Sequence, residues 1–102
     1  MSQKYTIQAE ARFGPTFAPN ILHDSPHLRV VIIALRAGQE IAAHTGDEGV
    51  FFVAAGRGRF YGDGGDVDIE AGAIVIVGAG ERRGWFAEDD LTVLVARAAP
   101  EA

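Results

Sequence analysis

Short apolar or alternating runs, separated by glycine and proline, follow one another along the whole chain. Residues 4–13 alternate polar with apolar side chains, which is the pattern of a half-buried strand. Residues 27–36 are β-branched and apolar on both faces, so they predict a central strand covered on each side. Residues 73–77 form another fully apolar run.

Further strands are predicted at residues 21–25, 39–44, 50–55, 57–61, 66–70, 85–87 and 91–98. Turn signals recur roughly every eight to twelve residues and helical periodicity is absent, so about eight to ten short strands are expected. The sequence therefore predicts an all-β barrel or sandwich.

Composition narrows the class of protein. A chain of 102 residues with 48% hydrophobic residues suits one compact domain over residues 1–102, since it can bury about two thirds of its unfolded surface. The net charge of −5 would repel a phosphate backbone, so we expect no nucleic-acid partner. There is no cysteine, which excludes disulfides and thiol nucleophiles and fits a reducing compartment. A signal peptide and a bilayer-spanning run are both lacking, so a cytoplasmic protein with no membrane partner is expected.

Two segments framed by glycine carry a resemblance to a known family. Gly38 is separated from His44 by five residues, and Gly56 closes this first segment. Gly72 opens the second segment, and Gly80 follows within it. In the spacing of its strands and glycines the chain resembles the cupin superfamily over nearly its whole length. The resemblance implies a single-domain double-stranded β-helix, the jelly-roll barrel of small cupins.

The metal ligands of that family are mostly missing from this chain. In metal-binding cupins, two histidines and a glutamate of the first motif and a histidine of the second converge inside the barrel. Carried over by position, the first histidine is His44 and the second falls on Gly46. The glutamate falls on Gly49, and the histidine of the second motif falls on Arg83. One ligand of the four is therefore retained.

A lone histidine is a poor metal site, because a divalent transition metal needs three or more donors. We therefore expect no cofactor. A non-standard site would require His44 together with an inward-turned His23, Asp24, His27 or Glu48. The alternative for His23 and His27 is that they are surface histidines near a proline-containing turn.

Arg83 is the more informative residue. An arginine does not bind a metal, stays charged, and offers a planar fork to a carboxylate or phosphate. The sequence therefore predicts an anion-accepting pocket in which Arg83 is the anchor and His44 a second polar group. The alternative is that Arg83 reaches solvent or pairs with Glu81, Glu48 or Asp47 in a structural salt bridge.

Strand alternation predicts which side chains share this pocket. If the slot at Gly49 faces inward, Phe51 and Val53 do so as well, and an inward Arg83 brings Trp85 with it. Glycine at two ligand slots predicts a wide cavity lined by aromatic residues, the usual form of a small-ligand site. The alternative is that the aromatic residues only fill the core.

Three functions follow from these features. The leading hypothesis is a metal-free cupin that binds a small polar or anionic molecule. The first alternative is a metal-free isomerase or epimerase in which His44 is the catalytic base, Arg83 stabilises negative charge and Tyr61 is a conceivable acid. The resemblance allows it, since some cupins are metal-free sugar-nucleotide epimerases. The second alternative is a metal-dependent enzyme with non-standard ligands.

Apolar residues that face outward predict a homodimer. Val50, Phe52 and the second faces of residues 30–35 and 73–77 are too apolar to face water as one patch. A two-fold dimer that packs sheet on sheet would bury them. The resemblance points the same way, because small cupins are commonly dimers.

Overall fold

The computed structural model describes residues 2–99 and places them in two antiparallel sheets that enclose a shared core. The elements in chain order are α1 (Ile7–Glu10), β1 (Asn20–Asp24), β2 (Leu28–Leu35), β3 (Glu40–Thr45), β4 (Gly49–Ala55), β5 (Arg57–Gly62), β6 (Gly65–Glu70), β7 (Ile74–Val77), β8 (Arg82–Ala87) and β9 (Leu91–Ala98). Sheet A has the strand order β1-β2-β9-β4-β7, and sheet B has the order β3-β8-β5-β6. The predicted all-β jelly roll is confirmed.

The prediction of a strand over residues 4–13 is wrong. One helical turn, α1, lies there instead, and the amides of Ala9 and Glu10 both donate to the Thr6 carbonyl at 3.0 and 3.2 Å. No strand within residues 2–99 pairs with this segment, so its alternation had no sheet to join. The Asn20 side chain donates to the Glu10 carbonyl at 3.0 Å and ties the turn to the start of β1. Among residues 2–99, no helix is long and apolar enough to cross a membrane.

The start of β8 matters for the site, and the edge position of β7 matters for the surface. β8 begins at Arg82, three residues before the predicted start, so Arg83 lies in a strand and not in the preceding glycine-rich loop. β7 is an edge strand of sheet A, and its Ile74 and Ile76 are 64% and 74% exposed. β7 is therefore apolar on both faces, but only its inner face is covered.

The core lies between the two sheets and is centred on Trp85, which is 2% exposed. Its indole contacts Phe51 of sheet A and Phe60 of sheet B, with ring centroids at 5.1 and 4.8 Å. Tilted and edge-on aromatic pairs of this kind add about 0.5–1.5 kcal/mol beyond the area that they bury. These contacts join the two sheets beneath the candidate site.

A bulge in β3 sets the position of His44, the one ligand position of the family motif that this chain retains. The register of β3 against β8 shifts between Ile41 and His44, and His44 then lies opposite Arg83. A Cβ on Gly84 of β8 would come within 2.8 Å of the Ala43 nitrogen and Cα. Only glycine therefore lets the bulged strand approach β8 so closely.

Candidate functional site

A cavity of about 390 Å³ opens between the two sheets. The residues that line it come from the segment before β1, from β1 and β2, from β3 and the loop after it, and from β4, β8 and β9. They are Phe17, Pro19, Ile21, Arg29, Val31, Ile33, Ile41, His44, Thr45, Gly46, Asp47, Phe51, Arg83, Trp85, Val95 and Arg97. The cavity therefore combines an apolar wall with a set of charged side chains.

The charged residues of the cavity are mainly cationic. Arg29, Arg83 and Arg97 line it together with His44, and Asp47 is the one carboxylate among its described lining residues. The chain as a whole carries a net charge of −5. The cavity thus has the opposite electrostatic character to the rest of the protein, which favours the entry of an anion.

Arg29 and Arg97 were not predicted as site residues, although strand alternation places them there. Arg29 shares one face of β2 with Val31, and Arg97 shares one face of β9 with Val95. Both valines are buried in the core. The register sets Arg29 directly opposite Arg97, so two like charges face each other on the inner side of sheet A.

Each of these two arginines has a carboxylate partner, but the two ion pairs differ in strength. The Nε and Nη2 atoms of Arg29 donate to the two carboxylate oxygens of Asp24 at 3.2 and 3.0 Å. Arg97 Nη1 lies 3.5 Å from Asp47 Oδ2, and within residues 2–99 its side chain makes no hydrogen bond. A bidentate pair is geometrically fixed, whereas a single contact of this length is loose.

Arg83 is 3% exposed and lies among backbone carbonyls. Its Nη1 donates to the Asp47 carbonyl, and its Nη2 donates to the carbonyls of Gly78 and Glu81 at 3.1 and 3.0 Å. The guanidinium carbon lies 5.9 Å from the centre of the Phe51 ring, within reach of a cation–π interaction. Arg83 therefore ties the loop before β4 to the loop before β8, and we call these contacts the Arg83 clamp.

The Arg83 clamp differs from the alternatives considered for Arg83 from the sequence. Arg83 does not reach solvent, and no described carboxylate forms a salt bridge with it. Burial lowers its pKa, while the nearby Asp47 charge raises it, and a guanidinium remains charged at neutral pH. Its Nε is buried without a hydrogen-bond partner among residues 2–99.

The guanidinium also uses the room that Gly46 was predicted to leave for a wide cavity. A Cβ on Gly46 would lie 3.3 Å from the guanidinium carbon of Arg83. At Gly49 a Cβ would come within 3.1 Å of Arg97 Cβ. Both glycines therefore make room for arginine side chains, and neither simply enlarges the cavity.

His44 lies exposed at the rim of the cavity. Its Nδ1 is 2.9 Å from the Thr45 carbonyl oxygen. Because a carbonyl can only accept, Nδ1 carries the proton in the neutral ring, which leaves the Nε2 lone pair free. His44 can therefore accept a proton through Nε2 or, once protonated, donate to an anion.

The other predicted site residues lie at different depths. Phe51 and Trp85 line the cavity, whereas Val53 is fully buried in the core and is not part of the lining. Tyr61, the conceivable acid, also lies outside the lining, and its hydroxyl donates to Glu40 Oε2 at 3.4 Å. Desolvation and then the Glu40 charge raise the pKa of Tyr61, so its hydroxyl stays protonated at neutral pH.

The donor set does not fit a metal ion. His23, His27 and Glu48 are exposed and lie outside the cavity lining, so they do not join His44. In the part of the chain that the structure describes, no group of three or more histidine, cysteine, aspartate or glutamate residues could hold a metal. The positive charge of Arg83 occupies the slot of the fourth ligand and would repel a divalent cation.

The family model described as the cupin domain matches residues 29–96. No curated protein matches the chain.

Several solved structures are similar to this one. An RmlC-like cupin protein from Desulfovibrio desulfuricans has 27% identity and a TM-score of 0.87, with 100% of each chain covered. A conserved protein of unknown function from Streptococcus pyogenes has 18% identity and a TM-score of 0.84, with 100% of this chain and 91% of that chain covered. A mutant of salicylate 1,2-dioxygenase from Pseudoaminobacter salicylatoxidans has 27% identity and a TM-score of 0.66, with 71% and 21% covered. The similar structures thus include both an enzyme and a protein without a known activity.

Proposed function

The chain belongs to the cupin domain family, and from that premise we propose that it binds a small polar or anionic molecule between its two sheets without using a metal. The protein acts in this proposal as a binding or sensing module. We also propose the cytoplasm as its location, because a chain without cysteine suits a reducing compartment.

The observation that carries the proposal is the charge of the cavity. Three arginines and a histidine surround an apolar cavity in a protein whose net charge is −5. Two of these arginines lie opposite each other on the inner face of sheet A, which costs stability through like-charge repulsion and desolvation. An anion between the sheets would offset both costs.

A thermal-shift titration tests the proposal, because a ligand that binds only the folded state raises the melting temperature. The panel contains acetate, benzoate, inorganic phosphate and neutral sugars at constant ionic strength. At least one anion is expected to stabilise the wild-type protein, and Arg97→Gln is expected to abolish the shift. Arg59→Gln is the matched control, since Arg59 lies 3.7 Å from Asp68 outside the cavity. Equal loss in both variants would show that only general charge screening was measured.

The second candidate function is proton transfer by His44. The free Nε2 lone pair at the cavity rim favours it, since a general base must reach the proton that it removes. The acid that the sequence suggested, Tyr61, lies outside the cavity lining, so any partner acid must come from elsewhere. Incubation of the protein with small carboxylates in D₂O, followed by NMR, measures hydrogen–deuterium exchange at the carbon next to the carboxylate. If this exchange persists in His44→Gln, His44 is not the base.

We propose a homodimer on the outer face of sheet A. Val50 lies opposite Ile76 and Phe52 opposite Ile74, so four apolar side chains form adjoining rows. Val50 is 43% exposed, and the two isoleucines are more exposed still. Burial of such rows against a second copy removes apolar surface from water. Light scattering after size-exclusion chromatography measures the state directly, and a monomer at micromolar concentration would refute the proposal.

A further inference from the structure

We infer that the cavity selects a small carboxylate with an apolar body, and that Asp47 occupies Arg97 in the free protein as a stand-in for the carboxylate of that ligand. The inference rests on the proposed function, since it names the class of molecule that the same cavity takes. The carboxylate head group of the ligand lies at the mouth of the cavity, and its apolar body lies against the inner wall.

The head-group position follows from the difference between the two ion pairs at the mouth. Asp24 holds Arg29 with two hydrogen bonds, whereas Asp47 touches Arg97 through one contact of 3.5 Å. The Arg97 and Asp47 side chains are 27% and 42% exposed. A partly exposed pair with a single contact of this length contributes little to stability, so a ligand carboxylate can replace it at small cost.

Asp47 is suited to release Arg97 without disturbing the loop that carries it. Its backbone carbonyl accepts a hydrogen bond from Arg83, and this contact is independent of its carboxylate. The Arg83 clamp therefore holds the loop in place while the Asp47 side chain turns away. Arg83 itself is a positioning residue, because three of its five N–H groups donate to loop carbonyls.

The apolar body follows from the inner wall of the cavity. Beyond the charged mouth the lining consists of Val31, Ile33, Ile41, Phe51, Trp85 and Val95. The several hydroxyls of a sugar would find few hydrogen-bond partners against such a wall, where the Trp85 indole N–H is the one side-chain donor, and burying hydroxyls unpaired is unfavourable. An aromatic ring suits it, because it packs against indole and phenyl groups at tilted or edge-on angles. The volume of about 390 Å³ accommodates a ring with its carboxylate.

Calorimetric titration at low salt tests the inference with three probes. Benzoate carries both the head and the body, benzamide is its neutral counterpart of similar shape, and acetate is the head alone. Benzoate is expected to bind at least about tenfold more tightly than either of the others, since it alone combines a charge-assisted contact with apolar burial. Benzamide binding as tightly as benzoate would overturn the head-group assignment.

The role of Asp47 is tested by Asp47→Asn, which keeps the backbone carbonyl and removes the competing charge. Benzoate should bind about fivefold more tightly to this variant, the size expected when a partly exposed ion pair no longer has to open. Asp68→Asn is the matched control, because Asp68 pairs with Arg59 at 3.7 Å away from the cavity, and it should leave affinity unchanged. Unchanged or weaker binding to Asp47→Asn would refute the stand-in role.

The failure of the inference can be distinguished from the failure of the proposed function. If acetate or inorganic phosphate binds and binding is lost in Arg97→Gln, while benzoate binds no more tightly, the proposed anion site stands and the inferred class, a carboxylate with an apolar body, is wrong. If none of these anions binds, both are wrong.

Discussion

The Arg83→Met substitution removes the guanidinium of the Arg83 clamp and keeps much of its apolar stem. Three hydrogen bonds to loop carbonyls are lost, and a bond to a charged group contributes about 1.5–3 kcal/mol. Two effects oppose this loss. A buried cation with an unpartnered Nε no longer has to be desolvated, and water can reach the exposed Glu81 and replace part of the lost bonding. We expect a net destabilisation of about 3 kcal/mol, or about 12–24 °C in melting temperature for a chain of this size.

Urea unfolding, followed by tryptophan fluorescence, measures the effect, because Trp85 lies in the core on β8, the strand that carries Arg83. The midpoint should fall while the slope with urea stays unchanged. Arg82→Met is the matched control: its side chain is 69% exposed and lies 3.8 Å from Asp63, so a change within about 0.5 kcal/mol is expected. If the two variants unfold at similar urea concentrations, the carbonyl contacts of Arg83 do not hold the loops.

Three further outcomes are expected. Gly56→Ala should destabilise the fold by about 3 kcal/mol or more, because φ of Gly56 is +86° and a Cβ there would overlap the Asp90 carbonyl. Gly38→Ala should cost only about 1 kcal/mol, because Gly38 has φ +89° but lies in open space. Equal melting temperatures of the two variants would contradict this difference. Ile76→Lys should convert the proposed dimer to a monomer in light scattering while the chain stays folded, since Ile76 is 74% exposed. Treatment with EDTA should shift the melting temperature by less than about 1 °C, and a large drop would reveal a bound metal that stabilises the fold.

Most strands of the two sheets could be predicted because their apolar residues are continuous or alternate over the full length of each strand. Residues 4–13 show why a pattern of this kind is not sufficient. The alternation of Tyr5, Ile7 and Ala9 is compatible with a strand, but a strand also needs a neighbour that accepts its hydrogen bonds. Whether such a neighbour exists depends on the path of the whole chain, and here the amides turn back to Thr6 instead.

The candidate site was predicted in part. Motif spacing placed His44 and Arg83 together, and the structure pairs them across β3 and β8. The partners of Arg83 could not be predicted, because they are backbone carbonyls of loops and carry no side-chain signal. Arg29 and Arg97 could have been found, since each continues the inward-facing positions of an apolar strand.

The position of β9 in sheet A determines when this fold can form. β9 lies between β2 and β4, yet among the nine strands of residues 2–99 it is the last to be synthesised. Until residues 91–98 have left the ribosome, β1 with β2 and β4 with β7 can form only as separate pairs, and neither pair is joined across the sheet. The core can therefore be completed only after β9 has been translated, because β9 supplies its Leu91, Val93 and Val95. Apolar strands remain exposed until β9 has paired with β2 and β4. Because such long-range pairing is slow, aggregation competes with folding during this time.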